Sequence, residues 1–226
     1  MVRRQLFPLL TGTIVCGALV LAGIGEFDEG PKSPFAWLQY PLLLLLAGGL
    51  FTTPESGQGK ARLLPFLGLS WILGMSVELS LTVDGSGIGG VHADTFSSFV
   101  LAQGDYIPLA IVIWSFHRRM GCLLHELAWI TIGMGLTEGL VFTGSVTSAL
   151  ASWSVVGALA VTCYLIAIYM VFLLLPFRLC GVAQGETSGR IPQLVVLGFA
   201  SAFAVRVFWG VVYSPIATAI FDLSID

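Results

Sequence analysis

Charge is what this chain lacks most. Only 10% of its 226 residues are Asp, Glu, Lys or Arg, while 56% are hydrophobic and the mean hydropathy is +0.92. An ordinary soluble domain carries about 25% charged residues. The deficit excludes a soluble globule and predicts a polytopic membrane protein. The net charge of -3 adds little, because charges on a membrane protein matter by side rather than by sum.

Other scarcities exclude particular chemistries. Lysine occurs only at Lys32 and Lys60, both in polar loops, so no lysine lies inside the bundle to form a retinal Schiff base. The three histidines, His92, His117 and His125, all fall at helix ends. A b-type haem held between two helices needs buried histidines that face each other, so haem is not expected. The four cysteines form no CxxC pair, and neither a zinc site nor a disulfide framework is expected of them. There is no GxSxG, HExxH, P-loop or dinucleotide fingerprint, and no lipidation signal. The residues name no cofactor and no metal.

Apolar runs are abundant. Seven can be drawn, at roughly 5–24, 35–53, 63–83, 97–116, 122–142, 149–177 and 194–221, and most approach the 20 or so residues that span a hydrocarbon core. The sixth is about 29 residues long and should tilt or extend past the bilayer. The breaks are clusters of Gly, Pro, Ser and charge, such as "GEFDEGPKSP", "DGSGIGGVHADT" and "HRRMG". The weakest break, "TGSVTS" at 143–148, has no charge and predicts a tight hairpin between the fifth and sixth runs. The expected fold is therefore all-α: one transmembrane domain over residues 1–226, a bundle of about seven helices.

Basic residues orient it. Arg3, Arg4, Lys60, Arg62, Arg118, Arg119, Arg178 and Arg190 fall on one side of the seven-span arrangement, and only Lys32 on the other. The positive-inside rule then places the N-terminus in the cytoplasm and the C-terminus outside. Residues 1–23 can also be read as a signal peptide, but no good small-x-small cleavage site follows, which favours a retained first span. The expected location is a bacterial-type inner membrane or its equivalent. The expected partners are the lipid bilayer and other membrane proteins, with no nucleic acid.

Against this background a few ionisable residues lie inside the apolar runs: Glu78, Asp105, Glu138 and Arg206, accompanied by Gln103 and Tyr106. Each charge in a membrane helix costs a few kcal/mol and needs a partner or a purpose. At a rise of roughly 1.5 Å per residue, Glu78 and Glu138 lie about one and a half turns from the outer ends of their helices, and Asp105 about two turns. Arg206 is near mid-membrane, with a side chain long enough to reach outward by a turn. All four can meet in the outer half.

Helix faces agree. Gly198, Ala202, Arg206, Gly210 and Ser214 recur every four residues, a small-residue spacing that marks a closely packed face. The same spacing joins Ser70, Gly74, Glu78 and Thr82, and shared faces join Thr131, Gly135 and Glu138, and Ser98, Ala102 and Asp105. A faint internal echo adds to this: "GMSVELSLTVDGS" at 74–86 resembles "GMGLTEGLVFTGS" at 133–145, with the glutamates offset by one. His92 and Asp94 sit in a glycine-rich loop, where Asp94 or Thr95 can cap the next helix and the loop can act as a flap over the pocket. His125 and Glu126, beside Arg118 and Arg119, read as an interfacial charge cluster.

Three acids and one arginine leave surplus negative charge, which suits exchangeable protons or a bound cation. Three functions follow, in order. The first is ion- or proton-coupled transport or binding of a small solute, using Glu78, Asp105 and Glu138 with Arg206 as counter-charge. The second is a non-catalytic subunit or assembly factor of a larger membrane complex. The third is a membrane-embedded enzyme that uses a carboxyl as general acid on a lipid or isoprenoid.

Overall fold

The computed structural model describes residues 62–83, 95–151, 155–182, 190–221 and 223. The first two apolar runs, and the loop with His92 and Asp94, lie outside the described residues. Everything described is helical or turn. Helix α1 spans Leu63–Val83, α2 Thr95–Met120 and α3 Leu124–Thr137. After α3 come a π-helical turn, Glu138–Phe142, and a short helix α4, Ser145–Ala151. Helix α5, Val155–Tyr169, runs through a second π-turn, Met170–Leu174, into α6, Leu175–Leu179. Helix α7, Ile191–Phe208, runs through a third, Trp209–Tyr213, into α8, Ser214–Phe221.

Three of these stretches are long and apolar enough to cross a membrane: Phe96–Met120, Gly157–Leu179 and Ile191–Phe221. A fourth is counted if the bent pair Leu124–Phe142 and Ser145–Ala151 is one broken span, and Leu63–Leu79 is a shorter apolar helix. The expected tight hairpin at 143–148 differs in form. Gly144, at φ 65°, turns the chain by 61° into α4 instead of straight back along α5. The reason is local: Thr143 and Ser145 hydroxyls bond each other at 2.8 Å, and a new helix starts at Ser145.

The described ends are built by recognisable devices. Gly181, at φ 77°, closes α6: its N–H bonds Arg178 O and the next N–H, of Val182, bonds Phe177 O, each at 3.1 Å. That pair of bonds and the left-handed glycine satisfy carbonyls that a helix end leaves bare. Helix α3 opens with Glu126 reaching back to accept from the Leu123 N–H at 3.1 Å. This is the role of Glu126, one half of a capping box.

The Gly157–Leu179 stretch is the centre of the bundle, with 71% of its apolar window buried, against 17% for Ile191–Phe221 at the periphery. Phe177 at its end stacks on Phe66 of α1 at 4.1 Å and on His117 of α2 at 5.2 Å. These contacts bring the start of α1 and the ends of α2 and α6 together. Arg62, Arg118, Arg119 and Arg178 therefore gather at one end of the molecule.

Helix α7 meets α3 almost backbone to backbone. A β-carbon on Gly198 would land on the carbonyl oxygen of Ile130, and one on Gly133 on that of Val195. Thr137 fastens the seam, donating to Gly133 O at 2.8 Å and to Phe199 O at 3.2 Å. The four-residue stripe holds for Gly198, Ala202 and Arg206 but not further. Gly210 is exposed, and a β-carbon there would touch nothing. The third π-turn adds a residue to the turn and rotates the packed face onto Trp209, Tyr213 and Ala217.

Candidate functional site

Arg206, near the C-terminal end of α7, is the hub. Its Nε donates to Glu138 Oε2 at 3.1 Å, and its Nη2 reaches Oε1 and Oε2 at 2.7 Å each. The same Nη2 lies 3.2 Å from Asp105 Oδ2. One guanidinium thus ties α7 to the π-turn after α3 and to α2. The guanidinium carbon also lies 5.8 Å from the Phe142 ring centre and 5.9 Å from that of Trp209, within reach of cation–π attraction.

Glu138 is satisfied from a third side. Tyr169, the last residue of α5, donates its hydroxyl to Glu138 Oε2 at 3.0 Å. Burial makes such completeness necessary, since an unpaired buried charge is expensive. Asp105 differs. It is 3% exposed, and while Oδ2 faces Arg206, Oδ1 has no hydrogen-bond partner.

Glu78 is buried as deeply, at 1% exposure, and its Oε2 accepts from the Tyr106 hydroxyl at 3.4 Å. Gly74, one turn earlier on α1, leaves room for the Tyr106 ring, since a β-carbon there would sit 3.1 Å from it. The two glutamates of the echoing segments therefore share an environment: each accepts from a tyrosine of a later helix. Both tyrosine rings lie against Phe172, at 4.7 Å for Tyr106 and 5.2 Å for Tyr169.

Gln103 stands apart from this cluster. Its amide accepts from Trp71 Nε1 at 2.6 Å and donates to Phe99 O and the Met75 sulfur. Two residues before Asp105 is more than half a helical turn away, so it faces α1 rather than Arg206. His92 and Asp94 lie outside the described residues, so their relation to the pocket is not defined.

Sequence reasoning missed Tyr169, Trp209 and Tyr213. Trp209 reads as a belt or packing residue, yet its Nε1 donates to Leu101 O at 2.8 Å, and Tyr213 donates to Val100 O at 2.8 Å. Together they clamp the third π-turn to the backbone of α2, with Gly104 leaving space for the Tyr213 ring. One signal was available: a phenol inside an apolar helix, as at Tyr169, needs a polar partner when buried.

At the arginine-rich end, His117 Nδ1 lies 2.9 Å from Cys122 O. Burial pushes the Cys122 thiol above its ordinary range and the charge of Glu126 adds to this, while burial alone raises Cys180. Both thiols are poor nucleophiles at neutral pH. Among the described residues no three His, Cys, Asp or Glu side chains are placed to hold a metal ion.

Neither family models, curated proteins nor solved structures match this chain.

Proposed function

We propose that this chain is a multi-pass membrane protein that couples uptake of a proton or small cation at Asp105 to movement of a small solute. The observation that carries this reading is the buried Asp105 Oδ1 without a hydrogen-bond partner, beside an arginine that Glu138 already occupies bidentately. Arg206 supplies one positive charge, and Glu138 balances it. Asp105 is then the acid free to exchange. Neutralising it removes the attraction across 3.2 Å to α2, while Arg206 stays on Glu138. Helix α2 is in this way the element whose attachment depends on the bound proton or cation, and a site with two attachments is what coupling requires.

The bundle suits a bilayer. Val196, Phe203, Val207, Val211, Ile216 and Ile220 face outward from α7 and α8. In our reading the whole chain forms seven spans with the N-terminus in the cytoplasm and the C-terminus outside, in a bacterial-type inner membrane or its equivalent.

The test pairs stability with function. Asp105→Asn and Glu138→Gln keep shape and most hydrogen bonding, so both should stay folded in detergent. An exchanging carboxyl predicts that Asp105→Asn abolishes complementation of a gene deletion. A second reading, a non-catalytic subunit whose buried charges only fix packing, is favoured by the complete satisfaction of Glu138. Full complementation by a stable Asp105→Asn variant would replace the first reading with the second.

A further inference from the structure

We infer that the solute is a small monocarboxylate, and that it docks on the half-used fork of the Arg206 guanidinium when Asp105 carries a proton. This rests on reading Asp105 as the exchanging acid, and it adds what travels with the proton.

The donor count comes first. A guanidinium has five N–H donors in one fixed plane. Glu138 takes the edge formed by Nε and Nη2, at 2.7–3.1 Å. The fork formed by Nη1 and Nη2 is only half used. Asp105 touches it at Nη2 with one oxygen, 3.2 Å away, and Nη1 donates to no described residue. Asp105 does not fill the fork: its Oδ1 has no hydrogen-bond partner, although the residue is only 3% exposed. A carboxylate that is not tethered to a helix fits such a fork with two parallel hydrogen bonds.

Charge comes second. With Asp105 ionised, Arg206, Glu138 and Asp105 sum to one negative charge, and Asp105 repels a further anion. A proton on Asp105 brings the three to neutrality. An incoming carboxylate then restores the single negative charge. Proton and anion enter together, and the buried cluster holds the same net charge before and after. The neighbouring groups do not change that count. Tyr169 of α5 and Tyr106 of α2 are neutral phenols, and Glu78 of α1 lies behind Tyr106 and bonds it. The one covalent change is an O–H bond on Asp105, its proton supplied by the medium.

Access comes third. The Arg206 side chain is 14% exposed. Phe142 and Trp209 flank its guanidinium carbon at 5.8 and 5.9 Å, and the Phe203 ring lies 5.8 Å from that of Phe142. The surroundings are apolar and aromatic, which suits a carboxylate with a short hydrocarbon body. Among the described residues no second basic side chain contacts this cluster to balance a dianion.

The experiment is calorimetric titration of the full chain in dodecyl maltoside with acetate, butyrate and benzoate, and with butyramide as the uncharged control. Titration in two buffers of different ionisation heat counts the protons taken up. The carboxylates should bind and butyramide should not. About one proton should enter per anion, and affinity should fall about tenfold per pH unit where Asp105 is ionised. Asp105→Asn mimics the protonated acid, so it should bind butyrate without proton uptake or pH dependence. Arg206→Lys keeps a charge for Glu138 but has no fork, and should bind butyrate at least about tenfold more weakly. If none of the three carboxylates binds at millimolar concentration, the carboxylate is wrong, and Asp105 is left to its complementation test. Undiminished butyrate binding by folded Arg206→Lys overturns the docking place. Exclusion of butyrate by phosphatidylglycerol in nanodiscs overturns the solute, because a lipid headgroup is then the occupant. Unchanged proton uptake in Asp105→Asn puts the proton elsewhere, and the reading of Asp105 falls as well. Should Arg206→Lys fail to fold, the proton counts of the wild type and Asp105→Asn decide.

Discussion

Arg206 grips Glu138 with two nitrogens at 2.7–3.1 Å and touches Asp105 with one, at 3.2 Å. The asymmetry leaves Glu138 fully engaged and Asp105 with one oxygen, Oδ1, that has no hydrogen-bond partner. It also makes the two sides of the site respond differently to substitution.

Removing either partner of the tighter pair leaves an uncompensated charge inside the bundle. Arg206→Ala and Glu138→Ala should each lower stability by about 3–5 kcal/mol. Denaturant or thermal unfolding in detergent measures this. The double variant should lose less than the sum, because neither charge is then left alone.

The α3–α7 seam has no room for a methyl group. Gly198→Ala should cost about 1–3 kcal/mol or more through overpacking against the Ile130 carbonyl. Gly68→Ala, where a β-carbon meets nothing, serves as the control and should gain about 0.5–1 kcal/mol. A Gly198→Ala protein as stable as the control would show that the helices are further apart than described.

Topology is measurable by cysteine labelling. A cysteine placed at Ser224 should react with a membrane-impermeant maleimide from the outside only. Labelling from the cytoplasmic side alone would mean that a span has been gained or lost.

The native thiols at the arginine-rich end carry a pH signature. Burial holds Cys122 and Cys180 above the ordinary thiol value of 9.0, so at any pH below that less thiolate is present than on a free cysteine. Alkylation at pH 8 should be slower than for an unstructured peptide thiol and should accelerate as pH rises past about 9. A rate equal to that of the peptide at pH 8 would contradict the burial of both.

The sequence made the meeting of Arg206, Glu138 and Asp105 legible, because depth in a membrane helix can be counted at a fixed rise per residue. The faces were legible for the same reason: Ser70, Gly74 and Glu78 are buried together, as are Thr131 and Glu138. Gln103 was misplaced because depth was weighed without angle, and its two-residue offset from Asp105 turns it to α1. Gly210 and Ser214 were placed on the packed face because the stripe was drawn at every fourth residue, which drifts by about 40° per step from a 3.6-residue helix, so Trp209 and not Gly210 meets α2. The partner of Glu138 on the other side, Tyr169, was hidden in an apolar run whose own pattern gives no face. The number of spans in the whole chain rests on residues that the structure does not describe.

The π-turns also bear on how the chain tolerates change in its gene. A π-turn is in effect one inserted residue. Gly210 touches nothing, so replacing it with another small residue should be harmless. Deleting it should be absorbed as well. Trp209–Tyr213 would tighten into an ordinary helical turn that sweeps nearly the same angle with one residue fewer. Tyr213 would then keep the Val100 carbonyl, and Ala217 its buried place beside Leu101. A residue removed from the regular helix on either side has no such slack, and everything after it would swing by about 100°.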